Sequence, residues 1–384
     1  MFNGILHVLC RRELAIHLQR DLRKAPFVIS VILHGSRATG EVGREDNRDY
    51  DIFVVLKTPL LPLYVKRLKG IEAEAKNAAS NLSILPTFRL RYGHGDLSVY
   101  FIKVTGVALW GQDYFRNCSL GETWETIDRS WIQYCIYVMG RLMWCYDPST
   151  GKFDVDAILR ALIVCCRLIV LFVTGKYVIK PEDMLKIIRP YRVSNRLLFG
   201  DKAINLLEEM IERQSWNESS LFFSVRDEVL NTYISLIRIF FGIEDADFRT
   251  LTSKYLMATR RESFIENLLY ASSLFIISGG VIPRFNPFGQ SVFDKFNMAT
   301  AWLLKSLCRD GSVDSESIRE TYKLLSGYVN LSPPKDNVRL WLALRDVIRT
   351  YYHYARNGFQ FSHCIYTASS KILDSLSLRK RRKP

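Results

Sequence analysis

The sequence predicts an α+β protein in which a mixed sheet with covering helices is followed by a large all-α region. Short apolar runs over 28–33 and 52–56 and alternating runs over 85–92 and 97–104 predict the strands. From residue 122 onward, apolar residues recur with helical spacing, which predicts helices instead. We therefore expect a sheet domain over 1–117, a helical bundle over 118–245, and a further helical region with a basic tail over 246–384.

Composition indicates a globular protein with acidic partners. The 384 residues are 48% hydrophobic, and the net charge of +14 is spread along the chain. Eight cysteines without a Cys-x-x-Cys pair indicate buried, reduced thiols, so we expect a cytoplasmic protein. The most apolar helical stretch, 157–173, contains Arg160 and Arg167, so we expect no membrane span.

The chain begins with helical spacing over 5–24, and Pro26 ends this covering helix before the first strand. The strand over Val28–Leu33 runs into a tight turn at Gly35-Ser36. A polar, glycine-containing loop over 37–48 leads to the second strand, which Asp49-Tyr50-Asp51 opens. Two buried strands therefore bracket a polar loop.

The residues around this loop predict a triphosphate site. Side chains alternate along a strand, so Asp49 and Asp51 point to the same side and form a ligand pair for a hard divalent cation such as Mg²⁺. Gly35 allows close approach of a ligand to the backbone, and Ser36 offers a hydroxyl and an amide to phosphate oxygens. Arg37 is the loop arginine best placed to meet phosphate.

The motif Leu33-His34-Gly35-Ser36, twelve residues, then Asp49-Tyr50-Asp51-Ile52 resembles that of the polymerase-β-type nucleotidyltransferases. The resemblance implies a magnesium-dependent transferase that moves a nucleoside monophosphate from a nucleoside triphosphate, expected to be ATP, to an acceptor hydroxyl with release of pyrophosphate. It implies two Mg²⁺ ions. The implied catalytic and metal-binding residues are Asp49, Asp51 and Asp96, and the implied nucleotide-binding residues are Gly35, Ser36 and Arg37.

Asp96 enters this set only through the resemblance. A helix over 63–80 is predicted before the two alternating strands, and Asp96 opens the second strand after a glycine-rich turn. In the family, a third acidic residue lies on a strand beside the Asp-x-Asp strand. The alternative is an ordinary turn aspartate. The segment 108–115 resembles the apolar-aromatic-Gly segment that closes many such domains.

Helices are predicted over 124–146, 154–173, 181–188, 202–214 and 221–241, as an antiparallel bundle. Asp154 or Asp156 can cap the second helix, Gly175 can end it and Pro181 can begin the third. The second helix and its sequel resemble the helical domain of aminoglycoside nucleotidyltransferases, which implies Arg167, Lys176 or Lys180 near phosphate or acceptor. Alternatively, Arg167 pairs with a bundle carboxylate and both lysines face water.

Residues 243–384 match no family that we recognise. Helices are predicted over 263–277, 292–308, 316–328, 338–352 and 364–376, and their wide apolar faces are expected to pack on the bundle or on a second copy of the chain. The aromatic side chains of the loop 279–290 either contact a nucleotide base or a partner protein, or pack against a hydrophobic core and anchor the loop. A basic lip of Lys180, Arg189, Arg192 and Arg196 and the basic tail 379–383 could meet anions.

Two functional hypotheses follow. The first is the nucleotidyltransferase, whose acceptor is a small molecule, a protein or RNA. The second is a catalytically weak or inactive module of the same fold, which binds nucleotide or nucleic acid and acts through its helical region. The six histidines are too scattered for a ligand set, and the sequence has no Gly-x-x-x-x-Gly-Lys loop.

Overall fold

The computed structural model describes residues 28–35, 38, 50–56, 80–86, 104–111, 130–194, 197, 199–212, 216–243, 247–259, 292–326 and 334–349. These residues fall into two compact units, one within residues 1–126 and the other within 127–356. The first holds a small sheet and the second is helical, so the chain is α+β with a large helical part. The predicted domain boundaries at 117 and 245 stay predictions.

The sheet has four strands in the order β3-β2-β1-β4. They are β1 (Val28–His34), β2 (Tyr50–Leu56), β3 (Ser80–Pro86) and β4 (Val107–Gly111). β1 is antiparallel to both β2 and β4, and β2 is parallel to β3. The predicted mixed sheet is therefore present.

Both faces of the sheet are buried at its centre. Val31–Leu33 of β1 and Ile52–Val55 of β2 are at most 5% exposed, and successive residues of a strand point to opposite faces. Ser30 is fully buried too, and its hydroxyl donates to the Trp110 carbonyl at 3.2 Å. This burial on both sides explains why the two strands are apolar runs rather than alternating ones.

The prediction for the third strand was wrong in its bounds. It was placed over 85–92, whereas β3 runs from Ser80 to Pro86 and begins at a residue assigned to the predicted helix 63–80. Leu82 and Ile84 alternate with Asn81 and Ser83, and they pair in regular register with β2. Proline has no N–H for the next ladder bond, which favours a strand end at Pro86. The rest of the helix 63–80 and residues 87–92 lie outside the described residues.

The segment 108–111, assigned only to the close of the domain, lies in β4. Val104 begins a short helical segment before β4 rather than ending a strand. Outside the described residues lie the predicted helices 5–24, 263–277 and 364–376, the strand 97–103, the loops 37–48 (except Ala38) and 279–290, and the basic tail.

The helical unit begins with α1 (Ser130–Trp144), the hairpin strands β5 (Tyr146–Asp147) and β6 (Lys152–Phe153), and α2 (Val155–Thr174). It continues with α3 (Pro181–Val193), α4 (Asp201–Ile211), α5 (Glu218–Phe241) and α6 (Phe248–Ala258). The remaining described helices are α7 (Val292–Lys305), α8 (Ser315–Leu325) and α9 (337–349). All predicted helices that fall within the described residues are present, with ends shifted by a few residues.

The helix α2 is the centre of this unit, because α1, α3, α4 and α5 all pack against it. Its length and composition would suffice to cross a membrane. However, ten of its residues are buried among the neighbouring helices, which accounts for its apolar composition without a membrane. As predicted, Asp154 caps it through a bond from the Ala157 N–H at 3.0 Å, and Gly175 ends it at φ 67°.

Buried aromatic and sulfur-containing side chains fill the helical core. Trp131 of α1 meets Phe172 of α2 edge to face, with ring centroids 5.2 Å apart. The indole N–H of Trp341 donates to the Leu303 carbonyl at 2.9 Å, so this buried polar atom is satisfied. The five cysteines among the described residues are free thiols, and four of them are buried.

Candidate functional site

The register of the first two strands brings His34 and Asp51 together. The two residues are directly opposite each other at the end of β1 and the start of β2. Directly opposed residues in an antiparallel pair point to the same face, and so does Phe53, two residues along β2. The rings of His34 and Phe53 stack with centroids 4.0 Å apart. One face at this end of the sheet therefore presents the His34 imidazole beside the Asp51 carboxylate.

Gly35 lies against that carboxylate. Its φ of 74° is in the left-handed region that favours glycine, and its carbonyl accepts a bond from the Ala38 N–H at 3.0 Å, which closes a turn. A Cβ at this position would lie 2.6 Å from Oδ2 of Asp51, closer than nonbonded atoms approach. The missing side chain is thus what lets a carboxylate oxygen reach the turn backbone.

Of the six residues predicted for the site, the structure brings together Gly35 and Asp51. The other four, Ser36, Arg37, Asp49 and Asp96, lie outside the described residues. Their roles remain predictions.

The donor chemistry at this turn fits a hard cation. Asp51 supplies carboxylate oxygens, the ligand type that Mg²⁺ prefers, and one of them lies against the Gly35 backbone. Within the described stretches, no three His, Cys, Asp or Glu side chains form a cluster that could hold a metal ion. A complete ligand set at the turn therefore needs the predicted partners of Asp51.

The sequence alone does not assign His34 to the site. Its position one residue before the Gly35 turn was visible, but its pairing with Asp51 follows from the strand register. An antiparallel β1–β2 pair joined by a loop of this length permits several registers, and each places a different residue opposite Asp51. The register had to come from the structure.

In the helical unit, the Arg167 guanidinium donates hydrogen bonds to a backbone carbonyl. Its Nη2 donates to the Ile179 carbonyl at 2.7 Å and its Nε to the same oxygen at 3.3 Å. These bonds tie α2 to the segment that leads into α3. Lys176 and Lys180, on that segment, are exposed. The role near phosphate or acceptor implied for these three residues stays a prediction.

The basic lip predicted around α3 is partly neutralised. Arg192 pairs with Asp201 at 2.8 Å and with Glu208 at 3.1 Å, so its charge serves the packing of α3 on α4. Arg189 is exposed, and Arg196 lies outside the described residues.

The helical unit also contains a cavity of about 740 Å³ whose lining includes residues of α4 and α5 and the end of α7. Its lining is both apolar and polar, and its charged side chains are of both signs, with Lys202, Glu209, Glu228, Asn231, Lys305 and Arg309 among the residues that contribute. Glu228 is 7% exposed, and burial raises the pKa of its carboxyl. The Asn231 amide donates to this carboxyl at 3.3 Å.

No protein-family model and no curated protein matches this chain. Among solved structures, it is similar to spectinomycin adenyltransferase from Enterococcus faecialis with ATP and spectinomycin, with a TM-score of 0.35 and 14% sequence identity. The match covers 60% of this chain and 99% of that one. At that TM-score the likeness does not establish a shared fold, and no activity is carried over from it.

Proposed function

We propose that this chain is a magnesium-dependent nucleotidyltransferase that transfers a nucleoside monophosphate from a triphosphate, ATP in the first instance, to an acceptor hydroxyl. The observation that carries the proposal is the contact between Gly35 and Asp51. A left-handed glycine turn after a buried strand, with the carboxylate of the next strand against it, is the arrangement that the sequence motif requires. The acceptor is a small molecule, a protein or RNA.

Each residue of the motif has a part in the proposed reaction. Gly35 and Ser36 seat the phosphates of the leaving pyrophosphate through backbone N–H groups and the Ser36 hydroxyl, and Arg37 neutralises their charge. Asp49, Asp51 and Asp96 would hold two Mg²⁺ ions. When bound, these ions neutralise the triphosphate and lower the pKa of the acceptor hydroxyl.

The bond changes balance without a further reactant. The acceptor oxygen forms a bond to the α-phosphorus, and the bond from that phosphorus to the bridging oxygen breaks, so pyrophosphate leaves. The proton of the acceptor hydroxyl passes to the Asp96 carboxylate. In this proposal, residues of the chain position the phosphates, neutralise their charge and accept the proton of the acceptor hydroxyl.

The test is incubation of the full-length protein with α-labelled triphosphates and Mg²⁺, with and without total RNA, followed by assay of pyrophosphate and labelled product. Asp51→Asn keeps the shape of the side chain and removes its charge, so we expect transfer to fall by about 100-fold or more. Asp156→Asn, at an exposed position in the first turn of α2, is the matched control and should retain activity.

Full activity in Asp51→Asn would overturn the assignment. Absence of pyrophosphate release with every triphosphate, together with retained binding of labelled ATP, would favour the alternative of an inactive nucleotide-binding module. Labelled RNA among the products would identify RNA as the acceptor.

A further inference from the structure

One exposed face of the helical unit combines aromatic and arginine side chains from α1 and α9. Tyr137, Arg141 and Trp144 are four and three residues apart on α1, so they share one face of the helix. Tyr137 and Trp144 are each 38% exposed, which is high for large aromatic side chains. The sequence of α1 contains no acidic residue.

Two arginines of α9 lie over this face. The guanidinium carbon of Arg345 is 4.8 Å from the centroid of the Trp144 ring, and that of Arg349 is 4.9 Å from it. Arg141 lies over the Tyr137 ring at 4.8 Å and donates to its hydroxyl. We call these five residues the arginine–aromatic surface.

The charge of this surface is not cancelled by its neighbours. Among the described residues, Arg141 and Arg349 form no ion pair, and Arg345 has one loose partner, Asp346, with Nε and Oδ1 3.8 Å apart. The carboxylate of Asp147, whose pKa the Ser149 hydroxyl chiefly lowers, is the other acid that interacts with Arg345. Among the residues that the structure describes, two of the three guanidinium groups therefore have no carboxylate partner.

The cation–π contacts hold these guanidinium groups where a phosphate can reach them. A guanidinium held over an aromatic ring keeps N–H donors for other partners, although Arg141 uses one of its donors on the Tyr137 hydroxyl. Such donors match phosphate oxygens in bidentate fashion. Because the rings hold the groups in place, less side-chain freedom is lost when a phosphate binds.

We propose that the arginine–aromatic surface binds single-stranded nucleic acid. Arg141 and Arg349 are exposed and suit a phosphate backbone, whereas Arg345, whose side chain is 18% exposed, lies against Trp144 and Trp341. The exposed parts of Tyr137 and Trp144, together with the guanidinium planes, offer surfaces on which unpaired bases can stack. The net charge of +14 for the chain favours the same partner. The proposal concerns the helical unit alone and does not depend on the chemistry proposed for the Gly35 turn.

The test measures binding of the full-length protein to fluorescein-labelled oligouridine RNA and oligothymidine DNA of about 20 nucleotides, enough to span one binding site. Anisotropy titrations at several salt concentrations give the affinity and its salt dependence. The double variant Arg141→Glu/Arg349→Glu should weaken binding at least about tenfold and make the slope of log K against log[salt] shallower by about 1.4, the value for two lost contacts to single-stranded phosphates.

Trp144 is tested separately because it carries no charge itself, while its ring contacts both arginines of α9. Trp144→Ala should weaken binding at least about fivefold with little change in the salt slope, and Trp144→Phe should retain most of the affinity. The charge-matched control is Lys254→Glu/Lys323→Glu, at exposed positions on α6 and α8, which should have little effect on affinity. Circular dichroism confirms that each variant is folded.

Tight binding of RNA, of DNA or of both, weakened by the surface variants and not by the control, supports the proposal and identifies the preferred strand. The proposal is wrong if neither oligonucleotide binds, or if the surface variants bind as well as Lys254→Glu/Lys323→Glu. It is also wrong if labelled polyglutamate binds as tightly as the oligonucleotides, because an acidic peptide would then be the better partner.

Discussion

Replacement of Gly35 by alanine tests the central contact of the proposed site. The new Cβ would lie 2.6 Å from Oδ2 of Asp51, and the contact must lengthen by about 0.8 Å to approach an ordinary van der Waals distance. The backbone is also at a φ of 74°, which alanine adopts with strain. Gly35→Ala should therefore destabilise the β1–β2 pair through two separate terms.

The two terms have different sizes and can be separated. The left-handed backbone costs alanine about 1–2 kcal/mol, and the overpacked contact adds about 1–3 kcal/mol. In an Asp51→Ala background the carboxylate is gone, so Gly35→Ala should cost the backbone term alone. The coupling free energy between positions 35 and 51 therefore measures the contact, and we expect about 1–3 kcal/mol.

Amide hydrogen exchange measured by mass spectrometry is the suitable assay, because it reports the opening free energy of β1 and β2 peptides without requiring the whole chain to unfold in one step. Gly151→Ala is the matched control. Gly151 has a φ of 68° and nothing within 4 Å of an added Cβ, so Gly151→Ala should show only the cost of placing alanine in the left-handed conformation. A coupling below about 0.5 kcal/mol, within the limit for independent sites, would refute the contact.

Three further predictions concern the helical unit. Burial raises the pKa of the Glu228 carboxyl, so over a range of pH the folded protein retains a proton that the unfolded chain releases. The free energy of unfolding therefore falls as the pH rises from about 4.3, the ordinary glutamate pKa, through the raised pKa. Glu228→Gln should raise the free energy of unfolding in urea by about 1 kcal/mol at neutral pH and by less in acid; an equal gain at both would contradict this. Asp154→Ala removes the cap of α2 and should lower the free energy of unfolding by about 1 kcal/mol, whereas Asp154→Asn should lose little. Burial raises the pKa of the Cys145 and Cys165 thiols to about 12, so iodoacetamide should leave both unlabelled in the native protein and label both in guanidinium, as mass spectrometry would show.

Features fixed by neighbouring residues could be predicted from the sequence. The first two strands followed from apolar runs between turn residues, and the cap at Asp154 and the end of α2 at Gly175 followed from residue types with specific backbone roles. Gly35 and Asp51 were assigned to one site because a turn and a strand entry bracket a single loop. The structure agrees that these two residues are in contact.

Features that depend on packing could not be predicted in this way. The helix α6 was missed, although Asp247 caps it by accepting from the Arg249 and Thr250 N–H groups, because its apolar spacing is weak. Trp144 and Arg345 meet only because α1 and α9 pack together, and nothing local to either helix indicates the other. The arginine–aromatic surface is therefore a product of the tertiary fold.

The register of β1 and β2 cannot be predicted from the local sequence pattern alone. In a strand with one buried face, a slip of one residue would expose every apolar side chain, so burial alone sets the register. Here both faces are buried, so a slip would still leave apolar residues on both faces, and burial alone does not set the register. The same slip would bring Ile52 opposite His34 and turn the Asp51 carboxylate to the other face, away from the Gly35 turn. The polar end of the strand pair therefore favours the register that the proposed site needs, and the register shifts at the other end of the pair, between Val28 and Ser30.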